Sequence, residues 1–169
     1  MSENPIQAND IKMRLILFFR NNKIKILISF FLIFLGLISY SLNQYNIKKT
    51  RTLISEKYIL AGIYLSSGEK EKSKKLFEEI ILSNDKFYTS LALYSILEKK
   101  LENDKQKILM YFDNAKKSVK LKDQKDIIMF KKALYLLQEN ETDKAKNLLK
   151  NLIKSDTKIK SLAEEILTK

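Results

Sequence analysis

Residues 26–47, ILISFFLIFLGLISYSLNQYNI, decide how this chain is read: 22 residues without a charge, fenced by Lys23 and Lys25 on one side and by Lys48, Lys49 and Arg51 on the other. A helix rises about 1.5 Å per residue, so a run of this length crosses a hydrocarbon core of about 30 Å while the flanking cations reach the headgroups. The stretch therefore reads as a membrane span. A cleaved signal peptide is the alternative, because Ser39-Tyr40-Ser41 is a small-x-small site after an apolar core. Two features oppose it: 25 residues precede the run, and Ile26–Leu42 is longer than the apolar core of about 7–15 residues usual in signal peptides. A buried helix of a soluble protein fits less well, since nothing else in the chain is apolar enough to surround it.

Charge around the span bears on orientation. Lys12, Arg14, Arg20, Lys23 and Lys25 precede it, against Lys48, Lys49, Arg51 and Lys57 after it. The bias is small, but long domains cross largely regardless of charge, so the expected topology is an N-terminus in the cytoplasm and a C-terminal domain outside it. The segments are then 1–22, a short cytoplasmic stretch with a candidate interfacial helix; 23–48, the span; and 49–169, one helical domain.

With one span in 169 residues, about 120 remain, enough for a single domain with a real core. There is no cysteine, which excludes disulfides, thiolate catalysis and Cys-based zinc sites, and no histidine, which removes the usual general base and the commonest metal ligand. The formal net charge of +12 raises the question of nucleic acid. Of the 32 cations, however, only Arg14, Arg20 and Arg51 are arginines, and the lysines are interleaved with acids, as in Glu69-Lys70-Glu71-Lys72. Readers of bases and phosphates favour the bidentate guanidinium, so no nucleic-acid partner is expected and a solvated surface is.

After the span the sequence reads as helices only. Residues 1–10 (MSENPIQAND) are polar, hold the only proline and are expected to be disordered, with Asn9 or Asp10 capping a helix over 11–21 that places Ile11, Leu15, Phe18 and Phe19 on one face. Start signals follow at Ser83-Asn84-Asp85, Asn103-Asp104, Thr142 or Asp143, and Asp156 or Thr157. Ala61, Tyr64, the Gly68-Glu69 turn, Ser73, Phe77 and Ile80 sit at the spacings of a tetratricopeptide helix pair. Ala133, Leu136, the Asn140-Glu141 turn, Ala145, Leu149 and Leu152 repeat the frame. Small residues let the partner helix approach and large ones fill the groove between them. Ala92, with Ile108, Phe112 and Ala115, gives a middle pair out of frame by about one turn.

The expected fold class is thus all-α: a single N-terminal transmembrane helix, then stacked antiparallel helical hairpins of tetratricopeptide type over 53–82, 86–119 and 125–154, closed by a capping helix over 157–168. Laying the frame on the first helix of each pair sends Tyr58, Leu65, Leu93, Ile96, Leu97, Phe130, Leu134 and Leu137 to the concave side. That side is either a groove for an extended apolar segment or a face covered by another helix of the same domain. No catalytic constellation is present. Gly36, Gly62 and Gly68 are too scattered to cradle a phosphate, Glu78-Glu79 and Glu164-Glu165 diverge by about 100° on a helix, and no serine has a histidine to activate it. The chain is expected to be no enzyme and to need no cofactor.

The stretch Phe18-Phe19-Arg20-Asn21-Asn22-Lys23, the single span, Phe87-Tyr88-Thr89-Ser90-Leu91-Ala92-Leu93, and Ala133-Leu134 with Asp143-Lys144-Ala145 resemble the bacterial ancillary subunit of the Sec translocon. The resemblance covers most of the chain, with a domain shorter by part of a repeat. It implies a non-catalytic protein of the bacterial inner membrane with its domain in the periplasm. Its implied partners are the protein-conducting channel, a membrane-anchored periplasmic chaperone of prolyl-isomerase type and newly translocated polypeptides. Two other readings stand beside it: a membrane-tethered scaffold for another envelope assembly, and a basic module holding anionic lipid or nucleic acid, which requires a contiguous lysine face.

Overall fold

A computed structural model describes residues 5–155 and 157–168, with side chains from residue 12 onward except at Leu15. Among the described residues there are eight helices and no strand: α1 (Pro5–Asn21), α2 (Lys23–Ser66), α3 (Lys70–Leu82), α4 (Tyr88–Glu98), α5 (Lys105–Ser118), α6 (Lys122–Gln138), α7 (Thr142–Lys154) and α8 (Lys160–Thr168). The chain divides into two compact units, Met1–Lys49 and Thr50–Lys169.

In the first unit α1 begins at Pro5, so the disorder expected for residues 1–10 is corrected over Pro5–Asp10; residues 1–4 lie outside the described residues. Proline suits a first helical turn, where its missing N–H has no intrahelical partner to lose. Neither Asn9 nor Asp10 caps a helix start, because both lie inside α1. Of the face expected on that helix, the side chains of Ile11 and Leu15 lie outside the described residues, whereas Phe18 and Phe19 are exposed and meet edge to face at 6.1 Å. Helical hydrogen bonds pass through Asn22, from its N–H to the Phe18 carbonyl and from the Ile26 N–H to its own carbonyl, each 3.0 Å. Beyond it, α2 is the one helix among the described residues long and apolar enough to cross a membrane, and none of its apolar window is buried. Leu27, Phe30, Phe31 and Phe34 are all more than half exposed, so no described part of the chain covers this apolar run.

The second unit is a stack of antiparallel hairpins. The end of α2 pairs with α3, α4 with α5 and α6 with α7, while α8 closes on α7. Small and large positions of the frame are where the sequence puts them: Ala61, Ser73, Ala133 and Ala145 are fully buried, and Phe77, Ile80, Leu136, Leu149 and Leu152 are at most 5% exposed. One core gathers Ile54, Phe77, Ile81, Ile96, Phe112 and their neighbours; a smaller one, around Ala133, Leu149, Leu152 and Ala163, lies under α8.

The three turns that close the first helix of each hairpin share one geometry. Gly68, Lys100 and Asn140 have φ of 82°, 49° and 60°. In each, the following N–H reaches back five residues: Glu69 to Tyr64 (2.8 Å), Leu101 to Ile96 (3.0 Å) and Glu141 to Leu136 (2.8 Å). This closure needs a left-handed residue, which Gly and Asn accept readily and Lys does not. After the middle turn come three more residues, Glu102-Asn103-Asp104, before α5 starts, with Asp104 capping it by accepting from the Gln106 N–H at 2.8 Å and the Lys107 N–H at 3.3 Å. That insertion is the one-turn slip of the middle pair. Counted from their helix starts, Ile108, Phe112 and Ala115 then fill the places of Ser73, Phe77 and Ile80, and all three are buried.

Glu102 holds the insertion. Its side chain is 6% exposed, with Oε1 accepting from the Asn103 and Asp104 N–H groups at 2.8 and 2.9 Å and Oε2 pairing with Lys74 at 3.0 Å and Lys107 at 3.5 Å. The Asp104 amide does most to hold its carboxyl at about 2; Lys74 and the Asn103 amide add to this, and burial opposes it. Because the folded value lies below the ordinary one, Glu102 stabilises fully above about pH 4.5 and loses its contribution as pH falls toward 2. Glu102→Gln is expected to cost about 2 kcal/mol at pH 7. The gap between the variant and the native chain should narrow at pH 3, checked by urea unfolding of both in detergent, followed by helix ellipticity. Conversely, Lys100→Gly relieves the left-handed strain and is expected to stabilise by about 0.5–1 kcal/mol in the same assay.

Candidate protein-binding groove

Two of the eight residues expected on the concave side, Leu97 on α4 and Leu134 on α6, come together in a cavity of about 770 Å³ between those helices. Tyr94, Ile108, Lys131 and Tyr135 complete its inner wall, and Glu98, Lys100, Gln138 and Glu139 stand along the lining toward the turns. The Lys131 Nζ lies 4.5 Å from the centre of the Tyr94 ring and so ties α6 to α4 by a cation–π contact. Burial raises the Tyr94 phenol above its usual value, and burial, then Glu139 and Asp104, do the same for Tyr135, so both present neutral hydroxyls at pH 7. The lining offers apolar contact, two phenols and a charged margin.

The remaining six lie elsewhere. Leu93 and Ile96 are fully buried and belong to the larger core, which corrects their placement on the concave face. The reason is the middle turn. Counted back from Lys100, Leu93 occupies the place that Ala61 and Ala133 hold before Gly68 and Asn140, the point of closest approach to the neighbouring helix. Its neighbour Tyr94 takes the place of Leu134 and faces the cavity. Tyr58 is half-buried among aromatics, 5.6 Å from both Phe77 and Tyr88, with its hydroxyl 3.2 Å from the Ser95 Oγ. Leu65 packs against the larger core and Phe130 against the smaller one, and Leu137 is half-buried near the turn.

Tyr94 and Lys131 were absent from the expected set. The signal for Tyr94 was its distance from the left-handed turn residue, hidden because Lys99-Lys100-Leu101 contains neither Gly nor Asn. Lys131 was masked by the abundance of lysine. The adjacent carboxylates have structural partners: Glu78 accepts from the Tyr111 hydroxyl at 2.6 Å, and Glu79 pairs with Lys57 at 2.7 Å.

Over 128 residues the chain is 30% identical to a protein of Buchnera aphidicola subsp. Acyrthosiphon pisum (strain APS) named ancillary SecYEG translocon subunit. The alignment takes in 74% of this chain and 64% of that protein, so the chain spans a little under two thirds of its relative's length. No family model and no solved structure matches the chain.

Proposed function

We propose that this chain is an ancillary subunit of the Sec translocon: a non-catalytic membrane protein whose α2 span anchors a tetratricopeptide-like domain beside the protein-conducting channel. Its N-terminus lies in the cytoplasm and its domain in the periplasm, where it works with a membrane-anchored chaperone on newly translocated polypeptides. The similarity to the Buchnera protein carries this reading. The lipid-solvated first half of α2 and the three hairpins closed by like turns support it. The α4–α6 cavity supplies the working surface, with Leu97 and Leu134 taking an apolar side chain of the bound segment and Tyr94, Tyr135 and Lys131 bonding to its backbone.

Photoreactive residues at Tyr94 and at Gln138 in the intact membrane are expected to capture channel subunits, a periplasmic chaperone or emerging envelope proteins. Leu134→Asp should lower that capture about tenfold, since it removes an apolar contact of about 1.5–3 kcal/mol and puts a charge in its place. Capture that is undiminished by Leu134→Asp would separate the groove from the function, and capture of cytoplasmic proteins alone would overturn the topology. Because the chain has no cysteine, Lys144→Cys gives a single label site. It is expected to react with a membrane-impermeant maleimide in intact spheroplasts, without lysis.

A further inference from the structure

The hairpin stack of the second unit has two chemically different ends. At one end, Arg51 lies 3.7 Å from Asp85 and the Tyr88 hydroxyl donates to the Ser55 Oγ at 2.8 Å, which sets the α3–α4 loop level with the residues just after Thr50. The Tyr111 hydroxyl, 2.6 Å from Glu78, aligns α5 with α3 and so brings the α5–α6 loop to the same end. Lys158, 2.6 Å from Asp123, brings the α7–α8 connection there too. The opposite end holds the three left-handed turns, two of them tied by Lys105 and Glu141.

Charge and apolar exposure divide between these ends. Residues 116–125 (KKSVKLKDQK) carry five lysines against one acid, Asp123, and that acid is paired with Lys158. Lys86 extends the basic surface along the α3–α4 loop, where it is exposed. On the same loops Leu82, Phe87 and Leu121 are 56%, 58% and 65% exposed. At the opposite end, residues 138–144 (QENETDK) carry Glu139, Glu141 and Asp143 against Lys144, and the turns 66–69, 99–104 and 139–141 hold no exposed large apolar side chain. Protruding Phe and Leu ringed by lysines are the side chains that insert into a headgroup layer and bind its phosphates. Connectivity brings that layer within reach, because only Lys48 and Lys49 separate Ile47, the end of the charge-free run, from Thr50, and the three residue steps between them extend at most about 10 Å.

We propose that this end of the helical domain, through Phe87, Leu82 and Leu121 with Lys86, Lys120 and Lys122, docks on the anionic phospholipid surface of the membrane that anchors the chain. Docking fixes the domain's orientation and stands the opposite end, with its acidic 138–144 segment, away from the bilayer. The proposal rests on the span reading of α2, and the test separates the two.

The chain contains no tryptophan, so Phe87→Trp, Leu121→Trp and Lys144→Trp each install a single emitter in the full-length protein. Each variant is reconstituted into vesicles of phosphatidylcholine alone or with phosphatidylglycerol, with and without brominated acyl chains. In the phosphatidylglycerol vesicles Phe87→Trp and Leu121→Trp should be blue-shifted and strongly quenched by bromine, an effect reversed by high salt, whereas Lys144→Trp should remain in water. Adding Lys86→Glu, Lys120→Glu and Lys122→Glu should shift the docked population by at least about fivefold per lysine. Helix ellipticity confirms that each variant is folded, and either of the first two emitters alone suffices. If both emitters stay in water while the chain floats with vesicles after a carbonate wash, the docking proposal fails, the anchor stands, and this end is left for a protein partner. Failure to float overturns the anchor itself.

Discussion

A peptide group inside hydrocarbon has no water to bond to, so a chain that crosses a bilayer once must satisfy its backbone within a helix. On the proposed reading of α2 as such a crossing, the rest follows from where that helix ends. The helix runs on past the charged fence at Lys48, Lys49 and Arg51 to Ser66, and beyond that fence its surroundings change: Phe30, Phe31 and Phe34 are exposed around the helix, whereas Ile54 and Ala61 sit in a protein core. One element thus supplies both the run long and apolar enough to cross a membrane and the first helix of the hairpin stack.

The stack holds together by close approach at small residues and by turns that end each first helix cleanly. Ala61 and Ser73 in the first hairpin and Ala133 and Ala145 in the third leave room for a neighbouring helix, and Phe77 and Leu149 fill the space that remains. The middle hairpin departs from this rule and compensates. Its turn uses a strained Lys100, its spacing grows by three residues, and the near-buried Glu102 binds two amides and two lysines to hold the insertion in place. A carboxylate held by two amides on one oxygen and ion-paired on the other is a structural fastener, and its depressed titration is a consequence of that role.

Where a single physical signal dominated, the sequence was legible. The uncharged run reads as one long apolar helix, as α2 is, and the periodicity of Ala145, Leu149 and Leu152 could be buried only against another helix. The groove was half legible. Leu97 and Leu134 were placed by counting positions, but the same count put Leu93 where Tyr94 belongs, because a lysine in a left-handed turn leaves no trace in the pattern. Polarity between the two ends of the stack was not legible at all. Lysines occur along every helix but α4, and only the hairpin topology gathers 116–125 and Lys86 at one end and Glu139, Glu141 and Asp143 at the other.

On the proposed reading, the long apolar helix, the stack of hairpins and the partly aromatic α4–α6 cavity serve one task, holding a polypeptide segment close to the membrane beside the protein-conducting channel. The direct measurement is isolation of the intact chain from its native membrane in a mild detergent, with quantification of everything that accompanies it. The protein-conducting channel is expected to co-purify in near-stoichiometric amount. Recovery of a different envelope assembly, with the channel absent, would contradict that reading and leave the same fold serving as a tethered scaffold elsewhere.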